Sequence, residues 1–587
     1  MSDDPRGTID RKLPDLLRCW PLAVILALNG CNGCKSVDYP VSSPPNDPGG
    51  AHRTFAQSET SMVRVDQTGD RPEGEPASRF LVGYNDETSS IVDTHSTTCW
   101  TFTQERASTD GWASSDDFGG NWARHDQLPV SAALRGRGIN ARHGDPWLAA
   151  WSSKDPKVPG IVLYVSVAQA GLDRYGPPWF LLLSRSLDNG KSFGDSFVLL
   201  GPQGGIPDGP KVAIDGDGTL AVVVWNEPGL ALPYRLVWNL DGPLATGATG
   251  QVNPVSVANP PDPSCTYSGA TAHPRVAAGR NTFYVAALTS YSCPTGGQQR
   301  LEVYRNSAIG LAFGAPWQRI LSALPPPSVS GGLGILNAQD AAGTPRFGTR
   351  TDRGSSLPEL AVGQGKDGEF VIAADLQIQA GTLPDEATTE KVVLFRVPRA
   401  DTCDARNHKG DLDSCGLKLT GQTIDSLAKP GDMETVANRA GIWESKPALF
   451  TGKVPDGTAD ERVGLVWYSQ PYKGRMTVTD EMRARTIVEA AVSTDTGLTF
   501  SGPFNLTAKR DQKEDNPPVD PDIGVYFYPC QLICTGYFGE YLSGAFQFNA
   551  PGPDAIVAAW GDSREGCTDQ SATTKHHHVW AGAVRAK

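Results

Sequence analysis

A short pattern that recurs along this chain of 587 residues constrains its fold more than any other feature. Ser115 to Trp122 reads SDDFGGNW, Ser186 to Phe193 reads SLDNGKSF and Ser493 to Phe500 reads STDTGLTF, so each copy is Ser-x-Asp-x-Gly-x-x-aromatic. Asn306 to Phe313, NSAIGLAF, keeps only the glycine and the aromatic. A catalytic constellation is normally built once, from different parts of a chain, whereas an element repeated at distant places marks repeated architecture. The serine and aspartate are expected to close a turn through local hydrogen bonds. The glycine would supply a conformation that other residues resist, and the aromatic would pack between sheets. The structural set is therefore Ser115, Asp117, Gly119 and Trp122; Ser186, Asp188, Gly190 and Phe193; and Ser493, Asp495, Gly497 and Phe500.

A second repeat is a proline followed by a short apolar run: DPWLAA, GPKVAI, HPRVAA, LPELAV and KPALF, with prolines Pro146, Pro210, Pro274, Pro358 and Pro447. Looser copies, ETSMVRV from Glu59 and GEYLSGAF from Gly539, bring the total to seven. Each copy is followed by a turn and a second β-branched run such as IVLYVSVA or TLAVVVWNE, and third runs such as WFLLLSRS lead directly into the serine-aspartate-glycine element. Period-two alternation is weak, as in strands buried on both faces. With Gly 64 and Pro 46 as turn punctuation, the unit reads as four antiparallel strands. Repeated around a ring, that is an all-β β-propeller with seven blades favoured and six as the alternative, spanning 59–587.

The serine-aspartate-glycine elements resemble the Asp boxes, or bacterial neuraminidase repeats, of the sialidase-like propellers, and the resemblance covers nearly everything after Glu59. It implies a pocket on the face opposite the boxes, where innermost strands begin. That upper face is expected to carry Glu59, Asp145, Asp208, His273, Arg275, Arg353, Asp562 and Arg564 as candidate ligand-binding residues. Sialidase chemistry asks for three arginines around the substrate carboxylate, a tyrosine nucleophile paired with a glutamate, and an acidic proton donor. The first blade has no Arg-Ile-Pro motif. Arg275, Arg353 and Arg564 are the candidate cations, and Glu540 with Tyr537 or Tyr541 the candidate catalytic pair. Several acids around one mouth also suit hydrolysis of a neutral glycoside or a structural calcium ion; no other cofactor and no transition-metal site is expected. DGDG, Asp215 to Gly218, reads as a hairpin turn.

The N-terminal region reads as an address. Arg11, Lys12 and Arg18 precede PLAVILALNGC, whose apolar core is far shorter than the ~20 residues of a spanning helix, so residues 1–31 are expected to be an export signal. Leu28-Asn29-Gly30-Cys31 resembles the bacterial lipoprotein box, which implies lipidation of Cys31 and a periplasmic, outer-membrane or cell-surface location. Residues 32–58 read as a flexible tether. An exported chain can oxidise its thiols, and blade positions pair Cys265 with Cys293, Cys534 with Cys567 and Cys403 with Cys415. The net charge of -13 opposes a nucleic-acid partner. The expected protein is a monomer, held to a membrane only by lipid. It binds a glycan or a protein without sialidase chemistry, or else it is an exo-acting glycoside hydrolase.

Overall fold

Each proline-led run forms the innermost strand of a four-stranded antiparallel sheet, and seven such sheets make a seven-bladed β-propeller. The structure is a computed structural model; residues 1–36, 41–53, 67–77, 93–101, 243–252, 324–357, 380–388, 401–421, 428–441, 472–484, 507–524, 527–541 and 563–574, with shorter stretches, fall outside the described residues. The innermost strands are Gln57–Asp66, Ala141–Trp151, Asp208–Ile214, Thr266–Ala278, Glu359–Gly365, Ile442–Gly452 and Ser543–Gln547. In the second blade the chain continues outward through Ile161–Gln169, Trp179–Ser186 and Phe197–Gln203, each antiparallel to the last.

Valine, isoleucine, leucine and aromatic side chains on both faces of these strands explain the weak alternation, because each sheet is covered by a blade on either side. A separate apolar cluster fills every one of the seven interfaces. Ala149, Leu163, Trp225 and Val237 join the second and third blades; Met62, Phe80, Val557 and Ala581 join the first to the seventh. Trp225, Trp467 and Trp560 are fully buried in such clusters. Trp179 and Trp317 are buried as well.

The three serine-aspartate-glycine turns connect third and fourth strands on the lower face. In the sixth blade the Ser493 hydroxyl donates to Asp495 Oδ1 at 2.7 Å and accepts from Gly497 N at 2.7 Å, while Asp495 accepts from Thr499 N at 2.9 Å. The copies at Ser115 and Ser186 make the same bonds from serine to aspartate and from glycine to serine. Burial would raise the Asp188 carboxyl, but hydrogen bonds from Ser186 and Ser192 hold it below the usual carboxylate range. Gly497 has φ +87, and a Cβ there would lie 2.1 Å from Ile372 Cδ1 of the preceding blade. The glycine thus lets the turn lie flat on its neighbour. Phe500 is buried between the fifth and sixth blades, and Phe193 packs between the first and second. Asp215 likewise closes its hairpin, accepting from Thr219 N at 2.8 Å and Leu220 N at 2.9 Å.

The ring closes through the segment expected to be a tether. Within residues 32–58, Val37–Pro40 forms the outermost strand of the seventh blade, antiparallel to His578–Arg585 with Val37 opposite Ala583 and Pro40 opposite Trp580. The reading as a tether missed this pairing because a four-residue strand carrying a proline has no local signature; an edge position tolerates the missing N–H. Further in, Thr60 Oγ1 of the first blade donates to Ala559 O of the seventh at 2.8 Å. Cys265 and Cys293 form a disulfide that ties the first two strands of the fourth blade at their upper ends.

Candidate functional site at the axial mouth

The innermost strands begin on the upper face with a bulge. The register slips there in the first blade and, just before or at the repeated proline, in the second, third, fourth and sixth. At four of these bulges one residue takes a positive φ: Glu59 (54), Asp145 (51), Gly209 (53) and Lys446 (46). A side chain in this region costs about 1–2 kcal/mol relative to glycine, which the third blade uses. Two acids and a lysine are therefore held where glycine would be cheaper.

Glu59, Asp145 and Asp208 come from three consecutive blades and meet. The Asp145 carboxyl is hydrogen-bonded to both Glu59 and Asp208; burial, then the charges of those two neighbours, holds it well above the ordinary carboxylate range. Asn85, at the end of the second strand of the first blade, fixes the arrangement. Its Nδ2 donates to Glu59 Oε2 at 2.6 Å and its Oδ1 accepts from Asp145 N at 2.7 Å. A carboxyl held well above the ordinary range beside two further carboxyl groups offers a hydrogen-bond donor and acceptors on one arc. The same arrangement pairs a potential general acid with potential bases.

One step further along each strand, the residue after the repeated proline lines the axis. These positions are Trp147, Lys211, Arg275 and Glu359 in blades two to five. The Lys211 ammonium lies 4.5 Å and the Arg275 guanidinium 4.6 Å from the Trp147 ring centre, and Arg275 Nε donates to Glu359 Oε1 at 2.5 Å. Lys211, Arg275 and Glu359 are all buried. Burial pushes the Glu359 carboxyl up to about 7 against the opposing pull of Arg275. Together they fill this side of the channel beneath the acids.

Between the first two blades, beside the mouth, a second ion pair is wholly enclosed. Arg142 Nε donates to Asp110 Oδ2, Arg142 Nη1 to Ser196 at 2.7 Å, and Ser166 Oγ to the same Asp110 oxygen at 2.5 Å. Gly144 N donates to Asp110 Oδ1 at 3.0 Å, so this network anchors the backbone next to Asp145. Neither Asp110 nor Arg142 stands in a motif that a sequence reading would select. Trp147, Lys211 and Glu359 did carry a signal: the residue after each repeated proline varies as Trp, Lys, Arg, Glu and Ala while its surroundings stay constant.

The expected upper-face residues are thus brought together only in part. Arg275 is committed to Glu359 and Trp147 inside the ring, away from the mouth, because its alternate position on the strand faces the axis below the bulge. His273 and Asp562 lie in strands at the expected level, with side chains outside the description. Arg353, Arg564, Glu540, Tyr537 and Tyr541 lie outside the described residues, as do Cys31, Cys403, Cys415, Cys534 and Cys567. Among the described residues no group of three His, Cys, Asp or Glu side chains is arranged to hold a metal ion, and no helix is long and apolar enough to cross a membrane.

No family model and no curated protein matches this chain. Solved structures with a similar backbone path include a lectin from Burkholderia pseudomallei, 12% identical with a TM-score of 0.36, covering 90% of this chain and 96% of that one. A Trypanosoma rangeli sialidase is 11% identical with a TM-score of 0.35, covering 93% and 76%. An alpha-L-arabinanase from Penicillium chrysogenum is 9% identical with a TM-score of 0.34, covering 93% and 98%.

Proposed function

We propose that this chain is an exported, lipid-anchored, monomeric propeller that binds a glycan at its upper axial mouth and has no sialidase chemistry. The observation that carries the reading is the carboxyl arc Glu59–Asp145–Asp208, two of whose members are kept at strained bulge positions. Strain retained at the mouth of a ring is an argument for a role there. A sugar hydroxyl both donates and accepts, and the arc offers a protonated carboxyl beside acceptors. Because Trp147, Lys211, Arg275 and Glu359 crowd one side of the axis beneath, the mouth suits the end of a glycan better than a threaded chain. Export is supported by the leader and by the Cys265–Cys293 disulfide, which belongs in an oxidising compartment.

The test is a glycan array followed by calorimetric titration of the best ligand. Binding that is lost in Asp208→Asn, with no turnover of a fluorogenic sialoside, is the expected result. Binding unchanged by Asp208→Asn and Asp145→Asn would remove the mouth from the account.

A second reading, hydrolysis of a neutral glycoside, is favoured by one observation: Asp145 holds its proton between two other carboxyls, as a general acid needs. Turnover of a fluorogenic neutral glycoside that disappears in Asp145→Asn would replace binding by catalysis. Sialoside turnover abolished by Glu540→Gln would instead point to the sialidase alternative.

A further inference from the structure

The lower end of the axis differs from the upper one. The innermost strands of the first, second, sixth and seventh blades surround a cavity of about 280 Å³ there, just under the roughly 300–1,000 Å³ of drug-sized sites. Its walls are aromatic. Phe450 meets Phe546 edge to face at 5.2 Å, and Phe546 stacks on Phe548 at 5.1 Å. The Arg64 guanidinium lies over the Phe548 ring at 5.8 Å. Arg64 Nη1 donates to Phe546 O at 2.8 Å and Nη2 pairs with Asp66 at 2.5 Å. Arg64 Nε is buried and has no hydrogen-bond partner among the described residues. A buried donor left in that condition costs about 1–3 kcal/mol, which the ion pair with Asp66 and the ring beneath offset.

We propose that this cavity is a second binding site, for a small carboxylate with an apolar body. The charged side chains lining it are Arg64 and Lys453 against Asp66, two cations to one carboxylate, which favours an anion over its neutral isostere. The carboxylate is drawn by the Arg64 and Lys453 charges, and its apolar part rests on Phe450, Phe546 and Phe548. The fit to a short ligand follows from the cavity's volume, and the aromatic walls exclude a strongly hydrated one. This site is independent of the acidic mouth, from which the length of the innermost strands separates it.

The experiment titrates the whole protein with phenylacetate and phenylacetamide, read by calorimetry and by saturation-transfer NMR. Phenylacetate is expected to bind roughly ten-fold more tightly than the amide, a difference of about 1.4 kcal/mol. Lys453→Gln, an exposed position, should weaken phenylacetate several-fold without moving Tm, and Arg64→Gln should weaken it further. Asp145→Asn, on the other face, should leave it unchanged. Equal affinity for acid and amide, absence of binding, or binding indifferent to Lys453→Gln would each overturn the proposal.

Discussion

Asp145 and Glu59 share a hydrogen bond between carboxyl groups across the boundary of the second and first blades. Two acids in such contact cannot both ionise cheaply, so the folded ring holds a proton that the unfolded chain gives up at an ordinary carboxylate pKa of about 4. The contribution to stability is complete below that pKa and is lost as pH rises toward the higher folded value. Asp145→Asn is expected to raise Tm at pH 7 to 8, with the gain over wild type shrinking to nothing near pH 4. A variant less stable than wild type at pH 8 would show that the acids are not opposed.

On the other face, Asp495→Ala should act on stability alone. Asp495 accepts from Ser493 Oγ, Thr499 N and Thr499 Oγ1. Losing these bonds should cost about 2 kcal/mol, visible as a lower denaturation midpoint. Ligand binding at the upper mouth should survive. Binding abolished at an unchanged midpoint would reverse the assignment of faces.

His143 supplies a pH dependence of the opposite sign. It is half-buried, edge-on to Trp179 with ring centres 5.6 Å apart, and desolvation lowers its pKa to about 4. The unfolded chain takes up a proton on this imidazole near 6.5. Its contribution is therefore present above pH 6.5 and fades as pH falls through that value toward 4. Thermal melts of His143→Phe should depend less on pH across this window than those of wild type.

The Cys265–Cys293 disulfide closes a sequence separation of 28 residues. The chain-entropy relation gives about 3.6 kcal/mol for a loop of that size. Cys265→Ser with Cys293→Ser should lower Tm, and wild type in reductant should converge on the variant. If the melts coincide without reductant, the bond contributes nothing.

What could be read in advance follows from what the local backbone demands. The proline-led strands and the Ser493–Asp495–Gly497 turn were legible because a turn's hydrogen bonds fall within a few residues of one another. Glu59, Asp145 and Asp208 could be placed on one face, but their convergence depends on bulges and on Asn85, which no spacing reveals. The axial ring of Trp147, Lys211, Arg275 and Glu359 was written in the position after each proline. The contacts among these residues were not, because residues at one repeat position touch only when the ring closes. Arg275 stands inside the ring rather than at the mouth because one step along a strand reverses which side a residue faces.

The pairing of Val37–Pro40 with His578–Arg585 joins positions roughly 550 residues apart. Strands brought together over such a span are late arrivals in folding, because the intervening chain must be ordered first. Val37–Pro40, made long before its partner strand, is thus among the last to find its place. Until it does, the edge of His578–Arg585 stays open, and an open edge accepts any strand of suitable register. A second molecule's Val37–Pro40 has that register by definition, so crowded refolding should yield interlocked pairs of rings, each fastened by the other's leading strand.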